Sequence, residues 1–383
     1  MGGTENMLNL KNPSYAELAE KVVREDKALI VYGAGMIGQI VVPDILEQFQ
    51  MKDRLAFYVD ADTYKQGRRV VIKETAYEIK KPDELKAYCE QNKNTVILIT
   101  NSHFEAVLRE LDTLVQLNGV DACIIPVMQI EEAKKGKVAK PVRASKEMLI
   151  PKVIHYCWFS GKEMPEGFRK CIASWERYCP DYEIVRWDES NYDVNKNRYM
   201  QEAYEHQKWG FVTDCARFDI LYRHGGIYMD TDVELVRNPN ELLYQPAFCG
   251  VEKWGNVNTG GGCGAVAGHP MIKKMLEARE RLSFVREDGK LNLETCGVYE
   301  TETLSKEGFH VDNRNQIISG MTVYTSDYFH PYDYMSGELA MTENTFSIHH
   351  FNGGWLDEKE REQRKKTVEW YQKILERMKG KIA

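Results

Sequence analysis

Apolar runs alternate with polar stretches of helical length along the first third of the chain. The runs occupy residues 28–32, 55–59, 95–100 and 122–126. Short apolar runs of this kind are typical of buried strands, and residues 36–48 have the length and periodicity of a helix. Strands that alternate with helices predict a parallel sheet with right-handed crossovers. Residues 1–140 are therefore predicted to form an α/β domain.

A second unit begins after a charged stretch without periodicity. Residues 130–146 are predicted to be a linker, and the apolar run 149–158 starts the next unit, predicted over 141–383. Within it, residues 357–383 combine many charges with apolar side chains at helical spacing, which predicts a charged C-terminal helix. The chain is therefore predicted to contain two α/β domains.

Composition narrows the class of protein. Hydrophobic residues make up 43 % of the chain and the formal charge is -7, which argues against nucleic acid as the main partner because phosphate binding needs a basic face. No apolar stretch approaches the roughly 18 residues of a membrane span, and no signal-peptide pattern opens the chain. The nine cysteines form no CxxC pair, which indicates reduced thiols in a cytoplasmic protein.

A glycine loop, GAGMIG at 33–38, follows the first predicted strand and opens a predicted helix. Such a loop turns tightly and brings backbone N–H groups close to a phosphate, and Asp60 stands where a ribose-binding carboxylate is expected. The surrounding run resembles the Rossmann-like N-terminal domain of bacterial sugar O- and N-acyltransferases. This implies a second nucleotide site at Gly33, Gly35, Gly38 and Asp60. A tight turn without a ligand, or a regulatory domain, is the alternative.

Two Asp-x-Asp triplets, 60–62 and 230–232, occur in the sequence, so the triplet by itself carries little information. The second differs in its surroundings. A helix predicted over 214–223 and a Gly-Gly turn at 225–226 precede it, and a strand predicted over 227–229 ends at it. An isolated triplet is more often a solvated strand end, but this combination favours a functional site.

The spacing of the second triplet suits a divalent cation. Asp230 and Asp232 point to the same side of an extended chain, so both carboxylates can meet at one ion. Carboxylates suit Mg²⁺ or Mn²⁺, and such an ion offsets the charge of a diphosphate leaving group. On the preceding helix, Asp214 and Arg217 share a face with Leu221. An ordinary helical ion pair is the alternative for Asp214 and Arg217.

The block 214–232 resembles family-32 glycosyltransferases, which include yeast-type initiating mannosyltransferases, bacterial capsule enzymes and, more distantly, the glucosylating domains of clostridial toxins. Three further stretches agree in the same order: IPKVIHYCW at 150–158, NTGGGCGAVAGHP at 258–270 and HHFNGGW at 349–355. The resemblance covers about residues 150–355. It implies a GT-A type domain that retains anomeric configuration, with the leaving phosphate helping to deprotonate the acceptor.

The resemblance also implies roles for single residues. Trp158 would stack on the nucleotide base, where the alternative is a core aromatic. Asp214 would contact a sugar hydroxyl, and Arg217 the sugar or phosphate. Asp230 would contact the ribose and the metal, and Asp232 would bind the metal directly. The candidate catalytic residues are therefore Asp214, Arg217, Asp230 and Asp232.

The remaining candidates come from the two later motifs. His350 is implied as a third metal ligand, and an imidazole favours Mn²⁺ over Mg²⁺. Asn258 and Trp355 are implied in nucleotide-sugar binding, with Trp355 covering the leaving group. Family members often carry Ser before this Trp, whereas Gly354 stands here. That hydroxyl contact is therefore lost or replaced by backbone N–H groups.

These features predict a metal-dependent hexosyltransferase of surface polysaccharide synthesis. The expected donor is a UDP-hexose or GDP-mannose, and the expected acceptor is a glycan or a lipid-linked saccharide. A cytoplasmic location is expected, at the inner face of the membrane if the basic and aromatic C-terminal helix binds lipid. The alternative for that helix is packing on the catalytic domain.

Two rival functions stay open. One is a nucleotide-sugar oxidoreductase or epimerase that uses the loop 33–38 together with Tyr204 and Lys208. Its Tyr-x-x-x-Lys pattern is common in this sequence, since it also occurs at 77–81. The other rival is a non-catalytic nucleotide-sugar sensor.

Overall fold

The computed structural model describes residues 8–102, 104–135, 140–351 and 358–380, and for 358–361, 363 and 364 it describes only the backbone. The chain divides into two compact units. The first consists of Met1–Lys135 with Lys365–Ala383, and the second of Gly136–Arg364. All nine cysteines lie among the described residues as free thiols, eight of them buried. No described helix combines the length and the apolar character needed to cross a membrane.

The first unit is built on a seven-stranded sheet. Its strands are β1 (Asn9–Lys11), β2 (Ala28–Tyr32), β3 (Leu55–Val59), β4 (Arg69–Ile72), β5 (Thr75–Lys80), β6 (Thr95–Ile99) and β7 (Asp121–Ile124). They lie in the order β1-β7-β6-β2-β3-β5-β4. Neighbouring strands are parallel except in the β4–β5 hairpin. The central strands β2 and β6 are almost entirely buried, as expected for a parallel sheet that is covered on both faces.

Helices connect these strands as the alternation predicts. They are α1 (Tyr15–Arg24), α2 (Val42–Gln48), α3 (Pro82–Gln91), α4 (Phe104–Asp112) and α5 (Ile125–Ala133), with a π-helical turn at Ile37–Val41 and 3-10 turns at Lys52–Arg54 and Val115–Leu117. Helix α1 begins with a capping box in which Ser14 and Glu17 satisfy each other's backbone N–H groups. The predicted α/β class is confirmed. The linker predicted from residue 130 begins later, because α5 buries Val127, Met128 and Ile130.

The C-terminal helix α11 (Glu358–Met378) contributes its part after residue 364 to the first unit. The Tyr371 hydroxyl donates to the Glu131 carboxylate at 2.8 Å, and Arg377 bonds the Asp112 carboxylate at 2.7 Å. The sequence placed residues 357–383 with the second domain. An apolar helix face predicts burial but does not identify the surface that it covers.

The second unit has a mixed sheet. Its strands are β8 (Val153–Cys157), β9 (Glu183–Trp187), β10 (Gly226–Tyr228), β11 (Val233–Leu235), β12 (Ala247–Val251), β13 (Val257–Asn258), β14 (Cys263–Ala265), β15 (Gln316–Ile318), β16 (Met321–Tyr324), β17 (Tyr332–Asp333), β18 (Glu338–Leu339) and β19 (Ser347–His349). The main sheet has the order β15-β16-β12-β14-β10-β8-β9, and β13 pairs with β12. Strand β10 is parallel to β8 and antiparallel to β14.

Two smaller pairings and five helices complete the described part of this unit. Strand β11 pairs with β19 and β17 with β18, both antiparallel. The helices are α6 (Glu166–Tyr178), α7 (Arg198–Glu205), α8 (Trp209–His224), α9 (Pro270–Glu280) and α10 (Cys296–Ser305), with a 3-10 turn at Pro239–Leu243. The helix predicted over 214–223 is the later part of α8. The pairing of β11 with β19 brings together segments that are more than a hundred residues apart in sequence. It places His349 beside the triplet 230–232.

Candidate functional site

The triplet 230–232 lies in a tight turn at the end of β10. The Asp230 N–H donates to the Gly260 carbonyl at 2.8 Å, and the Val233 N–H donates to the Asp230 carbonyl at 3.1 Å. The sequence predicted an extended chain here, on which two carboxylates point to one side. The structure brings Asp230 and Asp232 together through the turn instead.

His155 on β8 fixes the Gly-Gly turn that precedes β10. Its Nε2 lies 2.9 Å from the Gly225 carbonyl, and its Nδ1 accepts from the Trp187 indole at 3.1 Å. These two contacts define a neutral ring that donates from Nε2. Burial lowers the pKa of His155 to about 4, so the ring stays neutral. At Gly226, with φ of 97°, a side chain would meet the Val153 carbonyl at 2.8 Å. The motif therefore needs glycine there.

His349 completes the cluster with the triplet. Val233 on β11 pairs with His349 on β19, and the His349 Nε2 lies 3.2 Å from Asp232 Oδ1. One ligand atom from each of Asp230, Asp232 and His349 lies within 4.8 Å of the others. Burial alone would lower the pKa of His349, but the charge and hydrogen bond of Asp232 outweigh it and raise that pKa.

His350, the predicted third ligand, contacts another carboxylate. Its Nε2 lies 2.9 Å from Glu234 Oε2, while its backbone N–H donates to the Asp232 carbonyl at 3.1 Å. Adjacent residues of an extended chain point to opposite sides. The imidazole that meets the triplet is therefore that of His349 and not that of His350.

Arg217 connects α8 to the triplet. Its guanidinium is 1 % exposed, and Nη2 lies 3.0 Å from Asp214 Oδ1 and 3.1 Å from Asp230 Oδ1. The other terminal nitrogen, Nη1, donates to the Thr259 hydroxyl at 3.1 Å. Burial raises the pKa of Asp214, which the charge of Arg217 partly offsets. The structure thus brings together all four predicted catalytic residues: Asp214, Arg217, Asp230 and Asp232.

The glycine-rich segment after β13 closes against the triplet. A Cβ at Gly260 would lie 2.0 Å from Asp230 Oδ2, so only glycine fits. Asn258 organises this segment, since its side-chain oxygen accepts from the Gly260 N–H at 2.8 Å and its amide donates to Glu252 at 2.7 Å. Its predicted contact with the donor stays a prediction.

The two predicted tryptophans differ in what the structure describes. Trp158 follows β8 and is partly exposed, with its indole nitrogen donating to the Lys162 carbonyl at 2.8 Å and its ring 5.6 Å from that of Phe168. A partly exposed face leaves room for the predicted stacking. Trp355 lies outside the described residues.

Several site residues were not predicted from the sequence. The Tyr228 hydroxyl donates to Asp230 Oδ1 at 3.0 Å, and its place two residues before the triplet was an available signal. Thr259, Arg279 and Glu300 surround Arg217 from other elements. No local pattern marks Arg279 or Glu300, because their place at the site follows from helix packing.

The glycine loop of the first unit is explained in part by packing. Gly33 has φ of 111°, and a Cβ at Gly38 would lie 2.1 Å from the Gly33 carbonyl oxygen. Asp60 accepts from the Ala34 N–H at 2.7 Å and therefore also serves the loop itself. Gly35 faces open space. A nucleotide site at Gly33, Gly35, Gly38 and Asp60 stays a prediction.

Comparisons with known proteins agree with the resemblance. Residues 165–249 match the family model described as "Glycosyltransferase sugar-binding region containing DXD motif". "Inositol phosphoceramide mannosyltransferase 3" of Schizosaccharomyces pombe is 29 % identical over 147 residues, 37 % of this chain and 41 % of that protein. "Mannosyl phosphorylinositol ceramide synthase SUR1" of Saccharomyces cerevisiae is 31 % identical over 158 residues, 39 % of this chain and 40 % of that protein.

In two further matches, a larger share of the other protein is covered. "Uncharacterized glycosyltransferase L373" of Acanthamoeba polyphaga mimivirus is 26 % identical over 193 residues, 48 % of this chain and 74 % of that protein. The solved structure of "PaToxG Glycosyltransferase" has a TM-score of 0.33 and 17 % identity, covering 48 % of this chain and 76 % of that one. The chain spans about two fifths of the length of the two yeast relatives that it matches.

The matched region, 165–249, contains α8, the Gly-Gly turn and the triplet 230–232. These are the elements on which the predicted resemblance depends, and they lie in a mixed α/β unit. The predicted resemblance to DXD-containing glycosyltransferases is therefore confirmed, and the matched region lies in the second unit.

Proposed function

We propose that the second unit is a metal-dependent hexosyltransferase that transfers a sugar from a nucleotide-sugar donor to a saccharide acceptor. The observation that carries this proposal is the convergence of Asp230, Asp232 and His349 next to the buried Arg217, within a region that matches the DXD family model. A cluster of two carboxylates and one imidazole beside a guanidinium suits a diphosphate held by a cation.

The cluster of two carboxylates and one imidazole fits a divalent cation of intermediate softness. Asp230, Asp232 and His349 would hold it, and a carboxylate–imidazole set favours Mn²⁺ over Mg²⁺. The charge and the hydrogen bond of Asp232 raise the pKa of His349, so a cation would compete with a proton for this imidazole and its binding is expected to strengthen with pH. Such a cation neutralises the charge that develops on a diphosphate leaving group.

The surrounding side chains orient the donor in this proposal. Arg217 holds Asp230 and Asp214 at the same time and so fixes both carboxylates, which would contact hydroxyl groups of the sugar and ribose. The Tyr228 hydroxyl also donates to Asp230, at the same Oδ1 that Arg217 contacts. Trp158 would stack on the nucleotide base at the carboxyl end of β8, where ligands of α/β sheets usually bind.

The relatives suggest the class of donor and acceptor. One is named as an inositol phosphoceramide mannosyltransferase and another as a mannosyl phosphorylinositol ceramide synthase. By analogy, GDP-mannose is the first donor to test and a lipid-linked saccharide the first acceptor. A role in surface polysaccharide synthesis, with retention of anomeric configuration, completes the proposal.

The test is a hydrolysis and transfer screen over nucleotide sugars with Mn²⁺, with Mg²⁺ and with a chelator. Turnover is expected with one donor and should stop when the metal is removed. Asp232→Asn should lose at least about 100-fold in kcat/KM, since one ligand and one charge are lost. Asp62→Asn, in the other Asp-x-Asp triplet, is the matched control and should keep full turnover.

Other outcomes would select the rival functions. Metal-independent binding of a nucleotide sugar without turnover would indicate a sensor. A change in absorbance of a nicotinamide cofactor during turnover would indicate an oxidoreductase that uses the loop 33–38. An inverted anomer in the product, observed by NMR, would contradict the retaining mechanism.

A further inference from the structure

A second set of buried charges lies beside Arg217. Arg279 on α9 and Glu300 on α10 are each 1 % exposed, and neither belongs to a motif that predicted the site. We propose that Arg279 and Glu300 are positioning residues that hold Arg217 and Thr259 in the orientation that Asp230 requires. The predicted effect on turnover rests on the proposed function, whereas the predicted effect on geometry does not.

Glu300 fixes the glycine-rich segment. Its carboxylate accepts from the Thr259 N–H at 3.1 Å and from the Thr259 hydroxyl at 3.0 Å. Because that hydroxyl proton is donated to Glu300, its lone pairs face Arg217, whose Nη1 donates to it at 3.1 Å. Hydrogen bonds are therefore donated in one direction, from Arg217 to Thr259 and from Thr259 to Glu300. The neighbouring Gly260 carbonyl accepts a hydrogen bond from the Asp230 N–H. The glycine-rich segment that Glu300 fixes therefore also positions the triplet.

Arg279 supplies charge without a hydrogen bond. Its Nη2 lies 4.0 Å from Asp214 Oδ2 and 4.0 Å from Glu300 Oε1, and its guanidinium lies 4.5 Å from the centroid of the Tyr299 ring. None of its three side-chain nitrogens has a hydrogen-bond partner among the described residues. A buried guanidinium without hydrogen bonds is costly. We therefore assign its role to its charge, which lies 4.0 Å from each of the two buried carboxylates.

The balance of charge around Arg217 explains why the charge of Arg279 matters. Three carboxylates, those of Asp214, Asp230 and Glu300, lie within 4.0 Å of the Arg217 guanidinium. With Arg279 present, two cations share them. Without Arg279, the three carboxylates compete for Arg217 alone. The two buried ones, Asp214 and Glu300, then either draw the guanidinium away from the more exposed Asp230 or take up protons. Either result changes the carboxylate that the triplet presents to a donor.

A purely structural role would affect stability in proportion to activity, and the variants are chosen to separate the two effects. Arg279→Met removes the charge and keeps an unbranched side chain, Arg279→Lys keeps the charge, and Glu300→Gln keeps the shape of the acid. Lys196→Met is the matched control. It removes a cation at 2.6 Å from Asp219, a buried carboxylate on the same helix α8 that takes no part in the site.

Each variant is assayed for kcat/KM of donor hydrolysis at a temperature well below its melting point. Arg279→Met and Glu300→Gln are expected to lose about 100-fold, the cost of a misplacement near 1 Å. Arg279→Lys should recover at least about ten-fold of that loss because the charge returns. Lys196→Met should lose stability but keep kcat/KM within about threefold of the wild type.

Crystal structures supply the outcome that does not depend on turnover. In Arg279→Met, or in Glu300→Gln if the former does not fold, the Arg217 Nη2 to Asp230 separation of 3.1 Å should lengthen by about 1 Å. An unchanged separation overturns the proposal, and so does unchanged turnover in both variants. If the wild type turns over no nucleotide sugar, the proposed function fails, and this separation alone decides the positioning role.

Discussion

Replacing Gly260 by alanine puts a methyl group where the Asp230 carboxylate lies. The added Cβ would be 2.0 Å from Oδ2 and 2.9 Å from Cγ of Asp230, whereas real Cβ contacts essentially never fall below 3.0 Å. The carboxylate must therefore move by about 1 Å, because the Gly260 backbone is held by hydrogen bonds of its N–H to Asn258 and of its carbonyl to the Asp230 N–H. That shift stretches its contacts with Arg217 and Tyr228, at 3.1 Å and 3.0 Å.

The expected cost is catalytic rather than structural. A misplacement of about 1 Å at a reacting centre lowers kcat/KM by about 100-fold, which corresponds to about 2.7 kcal/mol. The lost contacts of the partly exposed Asp230 should lower the free energy of unfolding by only about 1 kcal/mol. Donor hydrolysis with Mn²⁺ measures the first effect, and chemical denaturation measures the second.

Gly167 provides the control for this substitution. It lies in the first turn of α6, and an added Cβ would have no neighbour within 4 Å. Gly167→Ala should keep full activity and gain up to about 1 kcal/mol in the free energy of unfolding, because alanine is the better helix former. If Gly260→Ala keeps kcat/KM within about threefold of the wild type, the triplet is not held in the way described here.

Four further predictions concern His349, Trp158, His155 and Arg377. His349→Ala should weaken Mn²⁺ binding by at least about 100-fold, whereas His350→Ala should change it by less than about tenfold; calorimetric titration compares them, and the reverse order would restore the prediction from sequence. Trp158→Ala should raise KM for the donor by about tenfold, because base stacking is worth about 1–3 kcal/mol, while Trp158→Phe should keep most of the affinity in the same kinetic assay. Because burial lowers the pKa of His155 from 6.5 to about 4, the unfolded chain takes up a proton before the folded chain as pH falls. Folding stability should therefore drop by about 3 kcal/mol between pH 6.5 and 4, and denaturation of a His155→Gln variant should lack this component. Arg377→Met should lower the free energy of unfolding of the first unit by about 1–3 kcal/mol, since the Asp112 carboxylate loses its partner; an unchanged melting point would contradict the packing of α11.

Local pattern was sufficient for the central strands of the first unit. The apolar runs predicted β2 and β3 with their observed bounds, and β6 and β7 to within two residues. The short edge hairpin β4–β5 was not predicted, because edge strands alternate buried and exposed positions and lack a continuous apolar run. Strand and helix identity depend on neighbours in sequence, so a single chain carries that information.

The sequence by itself also predicted which residues of the second unit form the candidate site. It selected the triplet 230–232 over the equally spelled 60–62, and it placed Asp214 and Arg217 on the helix before it. Asp214 and Arg217 are three residues apart on a helix and Asp230 and Asp232 are two residues apart, so chain connectivity keeps the members of each pair close. Their grouping therefore needs no long-range contact.

Only the tertiary structure decided which residues enclose that site. The pairing of β11 with β19 selects His349 over the adjacent His350, because a register shift of one residue reverses the direction of every side chain. The packing of α9 and α10 against α8 brings in Arg279 and Glu300, for which no spacing rule exists. The surface covered by α11 was likewise undetermined, since an apolar helix face predicts burial without naming its partner. Long-range register and packing follow from the energy of the whole fold, which short sequence patterns do not contain.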